Sequence, residues 1–374
     1  MKKKLAFLPF VLLLTLVVTA CGVKKVPVSS IISGEIRNQA GRSFEVSYSD
    51  EETRAMSNYM MEGRFLHNGK TLYGSRHDES GTPYLCRMKF TAGEKGMYVR
   101  ETEPLKSHTD AKYLNLSGDY LYYLQTDCLT GETAIARVVA AEGSGAEPEI
   151  LYAGACDFLI ARGDRLYFTD ASNHLLSMAS DGSDLQTVLS DKEIYYPWFL
   201  SDDLLLFQDD ADGESLHMRY FPTGFELRVA SGRVCCFVVR DSELWIARAE
   251  DAGSERCRLC RLDLNTFLSG FDPTARPDVS FQFRTEESAE AIGPLFSING
   301  SHINASNYRM AELGDWRGLS DDAWQNGFKA ACQYVSKDFE IFYDYNDEGL
   351  ITDMLFYEPA FKRSGFIEIY RYSK

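Results

Sequence analysis

The chain has 374 residues, room for one large domain or two to three ordinary ones. Hydrophobic residues make up 45% and aromatics 13%, which excludes disorder by composition and leans toward strands, because flat side chains pack well on a pleated surface. The formal charge of -16 repels phosphate backbones and argues against nucleic acid as a partner.

In chain order, the first element is the basic run MKKK, followed by LAFLPFVLLLTLVV. That apolar stretch is too short and too proline-broken to read as a membrane span. VTAC follows at 18–21, with small residues just before Cys21. This pattern resembles the bacterial lipobox, in which the cysteine is lipidated and becomes the mature N-terminus. The resemblance implies an exported protein anchored to the bacterial cell membrane through lipid on Cys21. The rival readings are an ordinary signal peptide that happens to contain a cysteine, and a core helix. Gly22 follows, so the Asp that signals inner-membrane retention is absent. Removing 1–21 also removes Lys2, Lys3 and Lys4, leaving 36 basic against 55 acidic residues, or -19. Such a surface resists clinging to anionic lipid, so any membrane tie must be specific. Residues 22–57 read as a tether and lead-in segment.

From there one phrase recurs. Gly118-Asp119 leads to Leu121, Tyr122 and Tyr123, and Gly163-Asp164 leads to Leu166, Tyr167 and Phe168. Asp202-Asp203, Asp241-Ser242, Gly69-Lys70 and Asp338-Phe339 each precede a similar apolar run, and Asn299-Gly300 heads a weaker copy. The starts at 69, 118, 163, 202 and 241 differ by 49, 45, 39 and 39. A short apolar run precedes each turn, and a second and third strand follow, separated by polar turns such as DGSD and ADGE. Four strands per 40–50 residues is the period of a propeller blade. One such sheet has two faces and cannot bury both, so copies stack around a ring. The expected fold is therefore an all-β propeller of four-stranded blades over 58–374. A β-sandwich is the rival for short alternating strands, but it needs no recurrent phrase. Seven blades are favoured over six; six would fit if the irregular stretch 271–335 were an insertion. One short helix is expected near 320–335, with Ser320 as its N-cap.

The phrases GDYLYYL and GDRLYFTDASNHLLSMASDGSDLQTVL resemble bacterial propeller domains of unknown function related to the YWTD propeller of the low-density-lipoprotein receptor. Leu175 to Leu189 carries the most specific likeness. The YWTD tetrapeptide itself is replaced by YYLQ and YFTD. The chain is more distantly similar to the TolB-type propeller. The resemblance implies the fold and carries no assigned activity.

Chemistry is thinly signposted, and no catalytic residue is nominated. The six histidines have no metal-helix spacing, and no G-x-S-x-G or G-x-G-x-x-G occurs. RHDES places Arg76, His77, Asp78 and Glu79 together, either as a site or as a solvated hairpin turn. Calcium candidates are Asp344, Asn346 and Glu348, which match the start of an EF-hand-like loop but meet Leu355 where the bidentate Glu belongs. Asp209, Asp210 and Asp212 form a second acidic turn without a distal ligand. The bland reading of both is an acidic β-turn. Cys257 and Cys260 alternate along a strand and aim at opposite faces, against a zinc site. The eight cysteines beyond Cys21 read as buried free thiols, with one or two disulfides as the alternative. Tyr195, Tyr196 and Trp198 could stack on a sugar or pack between blades.

Two functions are compatible with this sequence. The first is a lipid-anchored, non-catalytic binding or scaffold module for a protein, peptide or glycan, with no cofactor. The second is a cell-envelope enzyme acting on carbohydrate with carboxylates in the propeller channel. Carboxylates or a His–carboxylate pair converging in a funnel would favour the enzyme. A third possibility, a structural part of an envelope complex, would show a large exposed apolar patch.

Overall fold

The recurrent turn pairs join the first and second strands of successive antiparallel sheets. Gly118 and Gly163 sit there with φ of 57° and 61°, a left-handed backbone that glycine adopts without a Cβ penalty. Asp241 holds φ of 51° at the same place in a later copy. The apolar run after each turn becomes the second strand and is buried: Leu121 and Tyr123, Leu166 and Phe168, Leu205 and Phe207, Leu244 and Trp245.

The computed structural model describes residues 46–69, 71–78, 80–93, 96–143, 145, 147–269, 286–305, 309–312, 330–345, 351–357 and 367–371. Among these are seven antiparallel sheets, six of four strands and one of three, each with strands in sequence order. They are the blades of a β-propeller. The first strands of blades 1 to 7 are Phe65–Asn68, Thr109–Ser117, Cys156–Arg162, Ile194–Phe199, Val234–Arg240, Phe296–Asn299 and Ala330–Val335. The ring closes between blades 7 and 1. Tyr343 donates to the Ser75 carbonyl at 3.2 Å, and the Phe65 ring packs edge-on to Tyr334 and Tyr343.

One expectation needs correction. The later part of the segment read as a helix, Ala330–Val335, is the first strand of blade 7, paired with Glu340–Tyr345. The alternating Cys332 and Tyr334 suit a strand; 320–329, including Ser320, lie outside the described residues. The favoured count of seven holds over six: within 271–335, Glu286–Ile292 completes blade 5 and Phe296–Asn299, His302–Ala305 and Arg309–Glu312 form blade 6, while 271–285, 306–308 and 313–329 lie outside the described residues.

A helix that the sequence reading did not foresee, α1 (Asp50–Met60), straddles the boundary drawn at 57/58. Ser49 and Glu52 form a capping box, and three acidic residues in the first turn favour the helix dipole. Thr53, Met56, Ser57 and Met60 recur at helical spacing and are buried. They are buried against the first strands of the ring, so α1 occupies the propeller's central channel. Those strands present unpaired backbone edges to the channel, and α1 satisfies several of them with side chains. Asn58 Nδ2 donates to the Val335 carbonyl at 2.9 Å, and Val335 N donates to Asn58 Oδ1 at 2.7 Å. Ser57 does the same for Ile298 of blade 6, and Val239 N of blade 5 reaches Met56 Sδ at 3.2 Å. The Tyr59 ring contacts Tyr113 of blade 2 and Trp198 of blade 4. A second, six-residue helix, Leu264–Ser269, follows the third strand of blade 5.

Candidate functional site

Because α1 fills the channel, the ring has two separate vestibules. Where the first strands end, a cavity of about 720 Å³ is lined by Arg54, His67 and Trp198 among others. Where they begin, a cavity of about 670 Å³ is floored by Met61 and Glu62 and walled by blades 1, 2, 6 and 7.

The second cavity carries a chain of charges. Lys112 Nζ donates to Glu62 Oε1 at 2.6 Å, Arg64 Nε donates to Glu62 Oε2 at 2.9 Å, and Arg64 also pairs with Asp110. Burial pushes the Glu62 carboxyl up, but Arg64 and Lys112 outweigh it and hold it below its ordinary value. Burial works against the Arg64 cation, and Asp110 and Glu62 more than compensate. Glu62 is thus an ionised acceptor, not a proton donor. His77, at the end of its strand, lines the same wall, and burial lowers its pKa, so it is neutral at pH 7. The floor is held by the backbone. Glu62 and Gly63 both take left-handed φ, 67° and 54°, and their carbonyls accept from Tyr113 N at 2.7 Å and Leu114 N at 2.9 Å.

Beside this cavity lies a buried polar cluster between blades 6 and 7. Glu340 is only 2% exposed and accepts from Asn299 Nδ2 at 2.7 Å. Burial pushes its carboxyl up to about 7, with Asn299 and Asn304 pulling against it. Asn304 and Cys332 belong to this cluster and also line the cavity.

The first strands share one irregularity. Their register slips around Tyr113, Phe158, Tyr196, Cys235 and Gln333, in blades 2, 3, 4, 5 and 7. Tyr113, Phe158 and Tyr196 have positive φ, and successive rings touch, with centroids 5.8 Å and 4.7 Å apart. Bulges re-aim side chains, here along the channel wall. This is where Tyr195, Tyr196 and Trp198 went. Tyr195 and Tyr196 pack on Phe158, and Trp198 is buried with Nε1 donating to Tyr48 Oη at 2.8 Å. All three pack within the ring, and Trp198 also lines the first cavity.

Of the RHDES residues, His77 alone lines the cavity; Arg76 is buried within its strand, and Asp78 accepts from Ser80 and Thr82 as an ordinary acidic turn. Glu79 lies outside the described residues. So do Asn346 and Glu348, and nothing is described of the Asp344 side chain. Asp209 and Asp212 join a different cluster. Oxygens or ring nitrogen of Asp209, His217 and Glu226 lie within 4.8 Å of one another, a spacing a divalent ion could use. A side-chain cation already sits there: Lys192 Nζ is 2.8 Å from Asp209 and 3.0 Å from Glu226. His217 reaches Glu226 at 3.0 Å and Asp212 at 2.8 Å, and Arg228 pairs with Asp212. Burial raises the Asp212 and Glu226 carboxyls, and their partners override it and hold both low. A metal ion would have to displace Lys192. Cys257 and Cys260 have different neighbours and do not converge: Cys257 meets Cys235, while Cys260 faces Arg258 and Glu287. The eight described cysteines are all free thiols, but only Cys86, Cys236, Cys257 and Cys260 are fully buried, and Cys128 is exposed.

Sequence reasoning missed Glu62, Arg64, Asp110, Lys112 and Glu340. A signal existed for the first four. Glu62-x-Arg64 and Asp110-x-Lys112 are paired opposite charges one blade repeat apart, as Gly69 and Gly118 are.

No protein-family model matches the sequence, and no curated protein does. Among solved structures, the chain is similar to a prolyl endopeptidase, with a TM-score of 0.50 and 13% identity over 92% of this chain and 59% of that one. It is also similar to the computationally designed Ika8 protein, TM-score 0.49, 9% identity, covering 82% of this chain and 86% of that one. The AfRom2 CNH domain gives 0.48 and 10% over 76% and 91%. At these identities the likeness to the endopeptidase bears on the fold alone.

Proposed function

We propose that the chain is a lipid-anchored, extracytoplasmic propeller of the YWTD-related bacterial kind. In this reading it binds a protein, peptide or glycan, without catalysis, in the vestibule floored by Glu62. The observation that supports binding over hydrolysis is the charge chain Lys112–Glu62–Arg64–Asp110. The carboxylates facing the cavity are paired with cations, which hold Glu62 ionised, and charged donors and acceptors on a rigid floor suit recognition.

Two experiments test this. Membrane fractionation of cells expressing Cys21→Ala should find the protein released; unchanged retention refutes the lipid anchor. The immobilised full chain should capture a component of envelope extract that an Arg64→Ala, Asp110→Ala variant loses. Equal capture by both would remove the vestibule from the reading. The enzyme alternative draws support from one group, Glu340, whose carboxyl is pushed up to about 7 where it lies buried behind the cavity-lining Asn304 and Cys332. Cleavage of envelope glycans by the protein, abolished in Glu340→Gln, would favour it.

A further inference from the structure

Cys235 and Cys257 meet in blade 5, at the end of the ring where the first strands begin. Cys235 is the residue at which the first strand slips register, between Val234 and Cys236. Cys257 opens the third strand opposite Ala249, so the two thiols meet across the second strand. The sulfurs are 3.6 Å apart, with Cys257 donating. Cys235 is part-exposed and Cys257 is buried.

We propose that Cys235 and Cys257 are an oxidisable pair that closes to a disulfide in the presence of a small disulfide oxidant. The bond requires the sulfurs to approach from 3.6 Å to ~2.05 Å and, because the cysteines stand on the first and third strands, their Cα atoms to draw within about 7 Å from the roughly 9–10 Å of two regular strand spacings. The bulge at Cys235 is where the ladder is already interrupted, so it can absorb that movement at the least cost in hydrogen bonds. The chemistry of the two thiols differs in the required sense. The hydrogen bond from Cys257 lowers the Cys235 thiol to about 7 against the effect of burial, and Arg233 helps. The same hydrogen bond, with burial, pushes Cys257 up. Cys235, the part-exposed sulfur, is the one an oxidant reaches and so the one that attacks, and Cys257, buried beside it, is the thiol that resolves. Other buried thiols are inert by comparison, with Cys86 and Cys236 pushed up to about 12 and Cys260 to about 11 by burial.

The steps balance with a disulfide such as glutathione disulfide as oxidant. The Cys235 thiolate attacks one oxidant sulfur, the oxidant S–S bond breaks, and one glutathione thiolate leaves. Cys257 then gives up its proton, its sulfur attacks Cys235 Sγ, and the second glutathione thiolate leaves. Two protein thiols lose two electrons, and the two protons end on two glutathione thiols.

The test uses the full-length chain treated with glutathione disulfide near neutral pH. The chain is then unfolded in denaturant that contains an alkylating reagent, and the cysteines that escape alkylation are mapped by mass spectrometry. Cys235 and Cys257 should become protected together, in equal proportion, joined in one cross-linked peptide pair that dithiothreitol separates. Cys260→Ser should leave the cross-link intact, and Cys235→Ser should abolish it with Cys257 left as a thiol. A stable mixed disulfide of glutathione on Cys235, protection of a different pair, or full alkylation of both cysteines would each overturn the proposal.

Discussion

Glu340→Gln should make the protein more stable at alkaline pH and leave it unchanged at acid pH. The carboxyl is buried and its pKa is pushed up to about 7, whereas an exposed Glu in the unfolded chain sits near 4.5. The folded state therefore holds a proton that the unfolded state has released between those two values. Stability from this group is complete below 4.5, falls as pH rises, and levels off above 7. The gap corresponds to about 3 kcal/mol at ~1.4 kcal/mol per unit. Geometry supports the same direction. Glu340 Oε2 and Asn304 Oδ1 are both buried acceptors without a hydrogen-bond partner. A proton on Glu340, or the amide of Gln, supplies a donor to this pair of unpartnered oxygens, while the Asn299 and Asn304 amides that favour the carboxylate are outweighed by burial. The assay is urea unfolding of wild type and variant at a series of pH values. Only their difference is read, since other titrating groups cancel at distant, independent sites. The variant should gain on the wild type from pH 5 to pH 8 by about 3 kcal/mol at most. A difference that does not change with pH, or a variant that loses ground at pH 8, would refute the argument.

Asn58→Ala should cost about 2–4 kcal/mol, because it strands the N–H and carbonyl of Val335 in the channel. An unfolding midpoint close to wild type would show that α1 does not hold blade 7. Gly63→Ala places a Cβ 2.9 Å from Tyr113 Cα at φ of 54°, so it should destabilise by roughly 2 kcal/mol or more and expose the floor to protease. Wild-type protease resistance would contradict this. EDTA should leave the melting temperature of the wild type within about a degree, since Lys192 supplies the positive charge at Asp209 and Glu226. A drop of many degrees would place a metal in one of the acidic clusters.

Strand quartets and their number were legible because each quartet is local. A turn pair, an apolar run and a polar turn lie within one repeat, and a sheet with two apolar faces needs neighbours wherever it sits. The helix α1 was legible in principle, since Ser49 and Glu52 spell a capping box and Met56 and Met60 follow at helical spacing. Its destination was not. Nothing local in 50–60 says that Ser57 and Asn58 will pair with backbone 241 and 277 residues away. Much shorter separations also hide partners: Glu340 lies beside Asn299, 41 residues away, and Cys235 beside Cys257, 22 residues away across a slipped register.

The amino-acid order by itself determined the blades, because hydrophobic periodicity and turn chemistry act over a few residues. Tertiary structure alone decided that the channel is filled, which vestibule carries charge, and which acids are tamed by cations. Those outcomes depend on Coulomb and hydrogen-bond terms that exist only once the ring brings remote side chains within a few ångströms.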